Sequence, residues 1–202
     1  MIPACLVLAA EVLVFWRQVL FSGKFGIPWD LPFYHQQLAW FAARSLGRGE
    51  LPLWDPYTYC GIPVYANLTM QLFYPPTLAV LALGNLIGLR HLLTLLQWQI
   101  AMHVLAGGVF TLMLLRRLGT GTAAALVGAS VYPLGGYFAS QAQHLGAMDA
   151  AAWLPLAWLA VIELAERFRW RWLGVLAAAL ALSFLAGFPA AAAVVFGSVF
   201  LL

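Results

Sequence analysis

Residues 50–76 read ELPLWDPYTYCGIPVYANLTMQLFYPP. Five prolines are spread along this stretch, with Trp54, Tyr57, Tyr59, Tyr65, Phe73 and Tyr74 between them. Proline removes the amide donor that a helix interior requires, and no 3.6-residue period survives so many interruptions. No clean two-residue alternation of a strand runs through it either. The stretch is too rich in aromatics and leucine to be a disordered linker. It reads as a long, structured, non-helical loop, and such loops carry function more often than fold.

The chain around it is apolar. Hydrophobic residues make up 64% of the 202 positions and charged residues 8%, where a soluble domain carries about 25% charge. The sequence therefore predicts an all-α, polytopic integral membrane helical bundle, with the bilayer as its partner. A non-helical segment in such a protein sits outside the hydrocarbon or is buried in protein. The net charge of +3 comes from arginines at segment ends, so it reports topology and not a nucleic-acid partner. Cys5 and Cys60 are expected on opposite sides of the bilayer, so no disulfide is expected between them, and no metal-ligand cysteine spacing occurs.

The predicted crossings are 2–21, 91–115, 121–138, 149–165 and 171–187, with an incomplete one at 189–202. The first has no basic leader and no cleavage signal, and reads as a retained helix. The last stops short of the ~20 residues that a crossing needs, so the chain is expected to end part-way through a helix. Arg116 and Arg117 mark one cytoplasmic turn and the ERFRWR run at 166–171 marks another, with two helices between them. That arithmetic makes 22–90 one large extracytoplasmic loop. Within it, Phe33, Gln37, Trp40 and Phe41 recur at the spacing of one helix face. An amphipathic interfacial helix is predicted over 32–46, and a short or half-crossing helix over 77–89.

Most polar groups with chemical potential collect on the outer side. Asp30 stands where the first helix meets the loop. A carboxylate there can serve as general base or hold a metal, or it can cap the helix that begins at Pro32. His144, on a short outer loop, is a candidate for proton transfer or phosphate contact. Glu50, Asp55, Tyr57, Asn67 and Gln71 lie on the large loop as substrate-binding candidates. Asp55 before Pro56 also reads as a turn initiator, Glu50 as a solvated acid, and Tyr57 as either a sugar-stacking or a headgroup-anchoring residue. Glu11 and His103 lie deeper. They line a cavity or hydrogen-bond between helices. Asp149 is expected at a helix start, where exposed amides favour an acid. The common signatures of soluble chemistry, GxSxG, HExxH, the P-loop and the dinucleotide fingerprint, are not in the sequence.

The run GxLPLWDPYTYCGIPVYAN, then QLFYPP, LLRRLG and a histidine loop before AWLPL resembles the YfhO-like family of bacterial membrane proteins. That family is similar to the wider GT-C superfamily of membrane glycosyltransferases. The resemblance covers nearly the whole chain, as the amino-terminal part of a longer protein. It implies a GT-C-like fold in a bacterial inner membrane, with a large first extracytoplasmic loop carrying short surface helices. It also implies a polyprenyl-phosphate-linked sugar donor and a lipid, polymer or protein acceptor. Asp30 corresponds to the acidic catalytic residue near the first junction, and Asp55 falls in the loop motif as a structural residue. Phe188 stands where relatives often carry a polar residue. A divalent metal, Mg or Mn, is possible, because few basic residues stand near the outer cavity. Two other functions fit the same pattern: a transporter or flippase of a lipid-linked envelope precursor, and a non-catalytic scaffold. Exchange of Asp30 for Asn separates the first reading from both.

Overall fold

The computed structural model describes residues 2–202. The chain is all-α: the described residues form eleven helices, short 3-10 and π turns, and a single antiparallel bridge between Asp55 and Ile62. The centre is α5, Leu92–Arg117, packed against α1 (Ile2–Phe15), α4 (Pro75–Ile87), α6 (Thr122–Leu134), α8 (Leu145–Ala152) and α9 (Leu154–Glu166). Small residues allow that crowding. A Cβ on Gly107 would lie 3.6 Å from Ala152 Cα, and one on Gly108 would lie 3.2 Å from the Ala129 carbonyl oxygen.

Two helical stretches, Leu89–Arg117 and Leu145–Glu166, are long and apolar enough to cross a membrane. Four others, Ile2–Phe15, Pro75–Ile87, Trp170–Leu185 (α10) and Pro189–Phe200 (α11), are apolar but shorter. The first predicted segment is divided at Trp16, beyond which α2 spans Arg17–Phe21. The segment predicted over 121–138 is not one helix. Gly135 takes an extended conformation (φ −70°, ψ 171°) after Pro133, so α6 stops at Leu134 and α7 begins at Gly136–Gln141.

The helix predicted from 149 begins four residues earlier, at Leu145, with His144 as its cap residue. Asp149 is therefore mid-helix and fully buried, and not at a helix start. The predicted face of the interfacial helix is split: Phe33 and Gln37 are exposed, while Trp40 and Phe41 are half-buried against the core. A π turn at Leu31–His35 runs into α3, Gln36–Gly47, and the stripe it buries is Leu31, His35, Leu38, Ala39, Ala42 and Ala43. Phe33 is 80% exposed. Alanines let α3 approach α4 and α5 closely.

Ion pairs from Arg117 to Glu163 and Glu166 hold the carboxy ends of α5 and α9 together. The two arginine-marked turns thus share one end of the molecule. His144 stands at the other end, a rise of ~33 Å away along Leu145–Glu166. The large loop folds over that other end. The carbonyl of Leu68 sits directly on Gly187 (φ 76°), in the turn between α10 and α11.

Candidate functional site

Trp29 precedes Asp30 in the left-handed region, at φ 66°. A bulky residue there is held against its own preference by the structure around it. The π turn then starts, and π turns occur frequently at functional sites. Asp30 occupies the cap position of that turn, but its side chain makes no capping hydrogen bond. The carboxylate is directed elsewhere: Oδ2 lies 3.4 Å from Nε2 of His144. The other imidazole nitrogen, Nδ1, donates to Gln141 Oε1 at 2.9 Å. A neutral ring so oriented presents a lone pair to the carboxylate, so the contact becomes attractive only when one proton is held between the two groups.

Asp30 and His144 open onto a cavity of about 160 Å³, lined also by Tyr34, His35, Thr69, Gly146, Gly187 and Phe188. The predicted residue Asn67 braces one wall. Its Oδ1 accepts from the Thr69 amide (3.1 Å) and hydroxyl (2.7 Å), and its Nδ2 donates to the Tyr34 hydroxyl at 2.8 Å. His35 is 8% exposed. Burial lowers its pKa to about 4; Asp30 opposes that shift and His144 adds to it. His35 is therefore a neutral wall of the cavity at pH 7.

A buried polar network adjoins this cavity. Gln71, in the left-handed region at φ 55°, touches Gly187 with its Cγ. Its amide donates to Asp149 Oδ2 (3.1 Å) and to the Ala186 carbonyl (2.7 Å). Gln99 donates to the same Asp149 oxygen at 2.6 Å, and the Thr77 hydroxyl donates to Gln71 Oε1. His103 Nδ1 lies 3.2 Å from Asp149 Oδ1, but its hydrogen bond goes to the Gln99 carbonyl at 2.8 Å, and Oδ1 is left without a hydrogen-bond partner among the described residues. The network ties the loop to α4, α5, α8 and α10. Gln71 and His103 are thus struts of the fold next to the cavity, not part of its lining. Tyr74, Thr77, Gln99 and Asp149 complete the set. The pairing of Gln99 with His103, four apart on one helix face, was its sequence signal.

The remaining candidates are elsewhere. Glu50 and Tyr57 line a separate cleft near the carboxy end of α3. Asp55 is committed to its own turn: Oδ1 accepts from the Tyr57 amide at 2.8 Å and Oδ2 from the Thr58 hydroxyl at 2.6 Å, with the residue 2% exposed. Both oxygens thus hold the turn, as expected of an acid before Pro56. Glu11 accepts from Ser130 at 2.6 Å, an α1–α6 packing bond away from the cavity. Cys5 and Cys60 are free thiols.

Among the described residues no three side chains of the His, Cys, Asp and Glu type converge. Magnesium is held by one or two carboxylates together with waters and substrate phosphates, and in this cavity Asp30 is the residue that would hold one. Comparison of the chain with family models, curated proteins and solved structures returns no match.

Proposed function

We propose that this chain is a multi-pass membrane protein of the bacterial inner membrane and a GT-C-like glycosyltransferase acting on the extracytoplasmic side. The observation that carries the reading is the contact of Asp30 with His144, two groups far apart in sequence that meet in a cavity at the end opposite the arginine turns. Exposed apolar side chains along α1, α10 and α11, such as Leu6, Val14, Phe184 and Val194, suit a lipid environment. An apolar groove of about 420 Å³ involves Ala151 and Ala191, while the cavity that holds Asp30 and His144 involves Gly146 and Phe188. The two therefore follow each other along α8 and α11 within ~8 Å. That arrangement suits a ligand with a polar head and a hydrocarbon tail, such as a polyprenyl-phosphate-linked sugar.

In the proposed reaction Asp30 accepts the proton of an acceptor hydroxyl. The freed oxygen attacks the anomeric carbon of the donor sugar. The bond from that carbon to the phosphate oxygen breaks, and the phosphate leaves with the electron pair. His144 stands beside the carboxylate, 3.4 Å from Oδ2, where it orients Asp30. General-base assistance of this kind contributes about 10²–10⁴-fold. The cavity is smaller than the ~300 Å³ at which sites for drug-sized ligands begin, so it admits a hydroxyl and part of a ring, with the prenyl chain outside it.

The test is Asp30→Asn in the purified chain reconstituted in nanodiscs with a polyprenyl-phosphate sugar. Turnover should fall at least 100-fold while donor retention and melting temperature hold. Unchanged consumption of donor in the variant would remove Asp30 from the reaction, and donor retention by the wild-type chain without any cleavage would replace the reading with the carrier alternative.

A further inference from the structure

The cleft that holds Glu50 and Tyr57 is a site in its own right. Its volume is about 410 Å³, and Trp40, Arg44, Arg48, Glu50, Trp54 and Tyr57 are among its lining residues. That volume is within the range of small-molecule sites. Arg44 lies ~20 Å from Asp30 along the rod formed by Leu31–His35 and Gln36–Gly47. One small ligand cannot reach both places.

Two features set the chemistry. Arg44 and Arg48 are one turn apart on the same face, and among the described residues neither guanidinium has an ion-pair partner. Arg44 is held over the Trp40 ring, 5.0 Å from its centroid. Trp54 is a seated plate. Gly61, at φ 114°, has no side chain, and a Cβ there would lie 2.6 Å from the indole. The ring rests on glycine backbone with 56% of its residue surface open.

Complementing the helix dipole explains arginines at the end of α3. It does not explain a cleft, a seated indole and a carboxylate around them. Two guanidinium forks match the oxygens of a phosphate. An indole face matches the apolar face of a sugar ring. Glu50 accepts hydrogen bonds from hydroxyls and repels a bare anion. We infer that this cleft binds a phosphorylated sugar ring, with phosphate on Arg44 and Arg48, the ring on Trp54 and a hydroxyl on Glu50.

The inference is independent of the Asp30 chemistry, and its test is binding. The purified full chain in detergent is titrated by calorimetry with glucose 6-phosphate, glucose and inorganic phosphate. Glucose 6-phosphate should bind at least tenfold more tightly than either half. R44Q/R48Q should weaken it at least tenfold, and W54A at least threefold, with the melting temperature of each variant checked. E50Q, which keeps the size of the side chain, should raise affinity for inorganic phosphate relative to glucose 6-phosphate. In nanodiscs, phosphatidylinositol that competes with glucose 6-phosphate identifies a lipid headgroup as the source. Failure to compete identifies a free sugar phosphate. The assignment is overturned if glucose 6-phosphate gives no binding heat, if inorganic phosphate binds equally well, or if folded R44Q/R48Q binds unchanged.

Discussion

The hydroxyl of Tyr74 lies 2.5 Å from Nε2 of His103, and the same oxygen accepts from Trp153 Nε1 at 2.8 Å. An indole nitrogen only donates, so the hydroxyl hydrogen is free to go to the imidazole. His103 Nδ1 then carries the ring hydrogen and donates it to the Gln99 carbonyl. One phenol, contributed by the end of the large loop, thereby joins α5 to the junction of α8 and α9.

Removing that oxygen leaves the buried His103 and the half-buried Trp153 without their partner. Tyr74→Phe keeps the ring and is expected to cost about 2 kcal/mol, within the ~1–3 kcal/mol range for an unsatisfied buried group. Tyr57→Phe, at a side chain 84% exposed, is the control and should stay within about 0.5 kcal/mol. Chemical denaturation in detergent measures both. Equal stability of the two variants would remove the strut role from Tyr74.

Gly187 has a positive φ of 76°, and a Cβ there would lie 2.0 Å from the Leu68 carbonyl oxygen. Left-handed backbone alone costs a residue with a side chain about 1–2 kcal/mol, and the clash is with backbone that cannot rotate away. Gly187→Ala should lose at least ~2 kcal/mol and, because Gly187 also lines the Asp30 cavity, should loosen donor retention. Gly197 has nothing within 4 Å of its Cβ position and lies inside α11. Gly197→Ala should be stabilising by up to ~1 kcal/mol.

His35 predicts the acid side of the stability curve. Burial holds its folded pKa at about 4, below the ordinary histidine value of 6.5. Between these values the unfolded chain binds a proton that the folded chain refuses, so stability rises with pH across this window and is lost on acidification. The loss begins near pH 6.5 and is complete below pH 4, reaching about 3 kcal/mol. His35→Phe should flatten the curve between pH 6.5 and 4. A variant with the wild-type slope would assign the acid sensitivity to other groups.

Gln141 orients His144 through Nδ1, so Gln141→Leu should release the ring without removing it. Partners of this kind are worth about 10–100-fold where they orient a metal-ligating histidine. A loss of about tenfold in turnover, with donor affinity unchanged, is expected beside the larger loss for Asp30→Asn. Steady-state rates against acceptor concentration separate the two. Wild-type turnover in the Gln141 variant would mean that His144 needs no orienting partner.

The sequence was informative wherever a local rule acts alone. Five prolines excluded a regular helix from 50–76, and the structure has only short 3-10 turns there before α4. Apolar composition identified the all-α class, and the arginine turns were placed at one end, where Arg117 meets Glu163 and Glu166. Asp30 and His144 were both singled out, because an acid at a helix junction and a histidine on a short loop are visible one residue at a time. Their meeting was not visible, since nothing local encodes which loop lies over which.

The helix start before Asp149 was hidden because Leu145–Met148 carries no cap signal, so the acid itself was taken as the start. The aromatic face of 32–46 is visible in the sequence, but the stripe of Leu38, Ala39, Ala42 and Ala43 that packs α3 inward is not, because alanine carries little amphipathic signal. Separation of Glu50 and Tyr57 from Asp30 followed from the length of α3, which keeps its two ends apart. Composition and periodicity thus determined what kind of elements this chain forms and where the irregular segment is. Close approach of helices at glycine and alanine, and the fold of the loop onto Gly187, decided which polar groups share a cavity, because those contacts join residues whose neighbourhoods in the chain are unrelated.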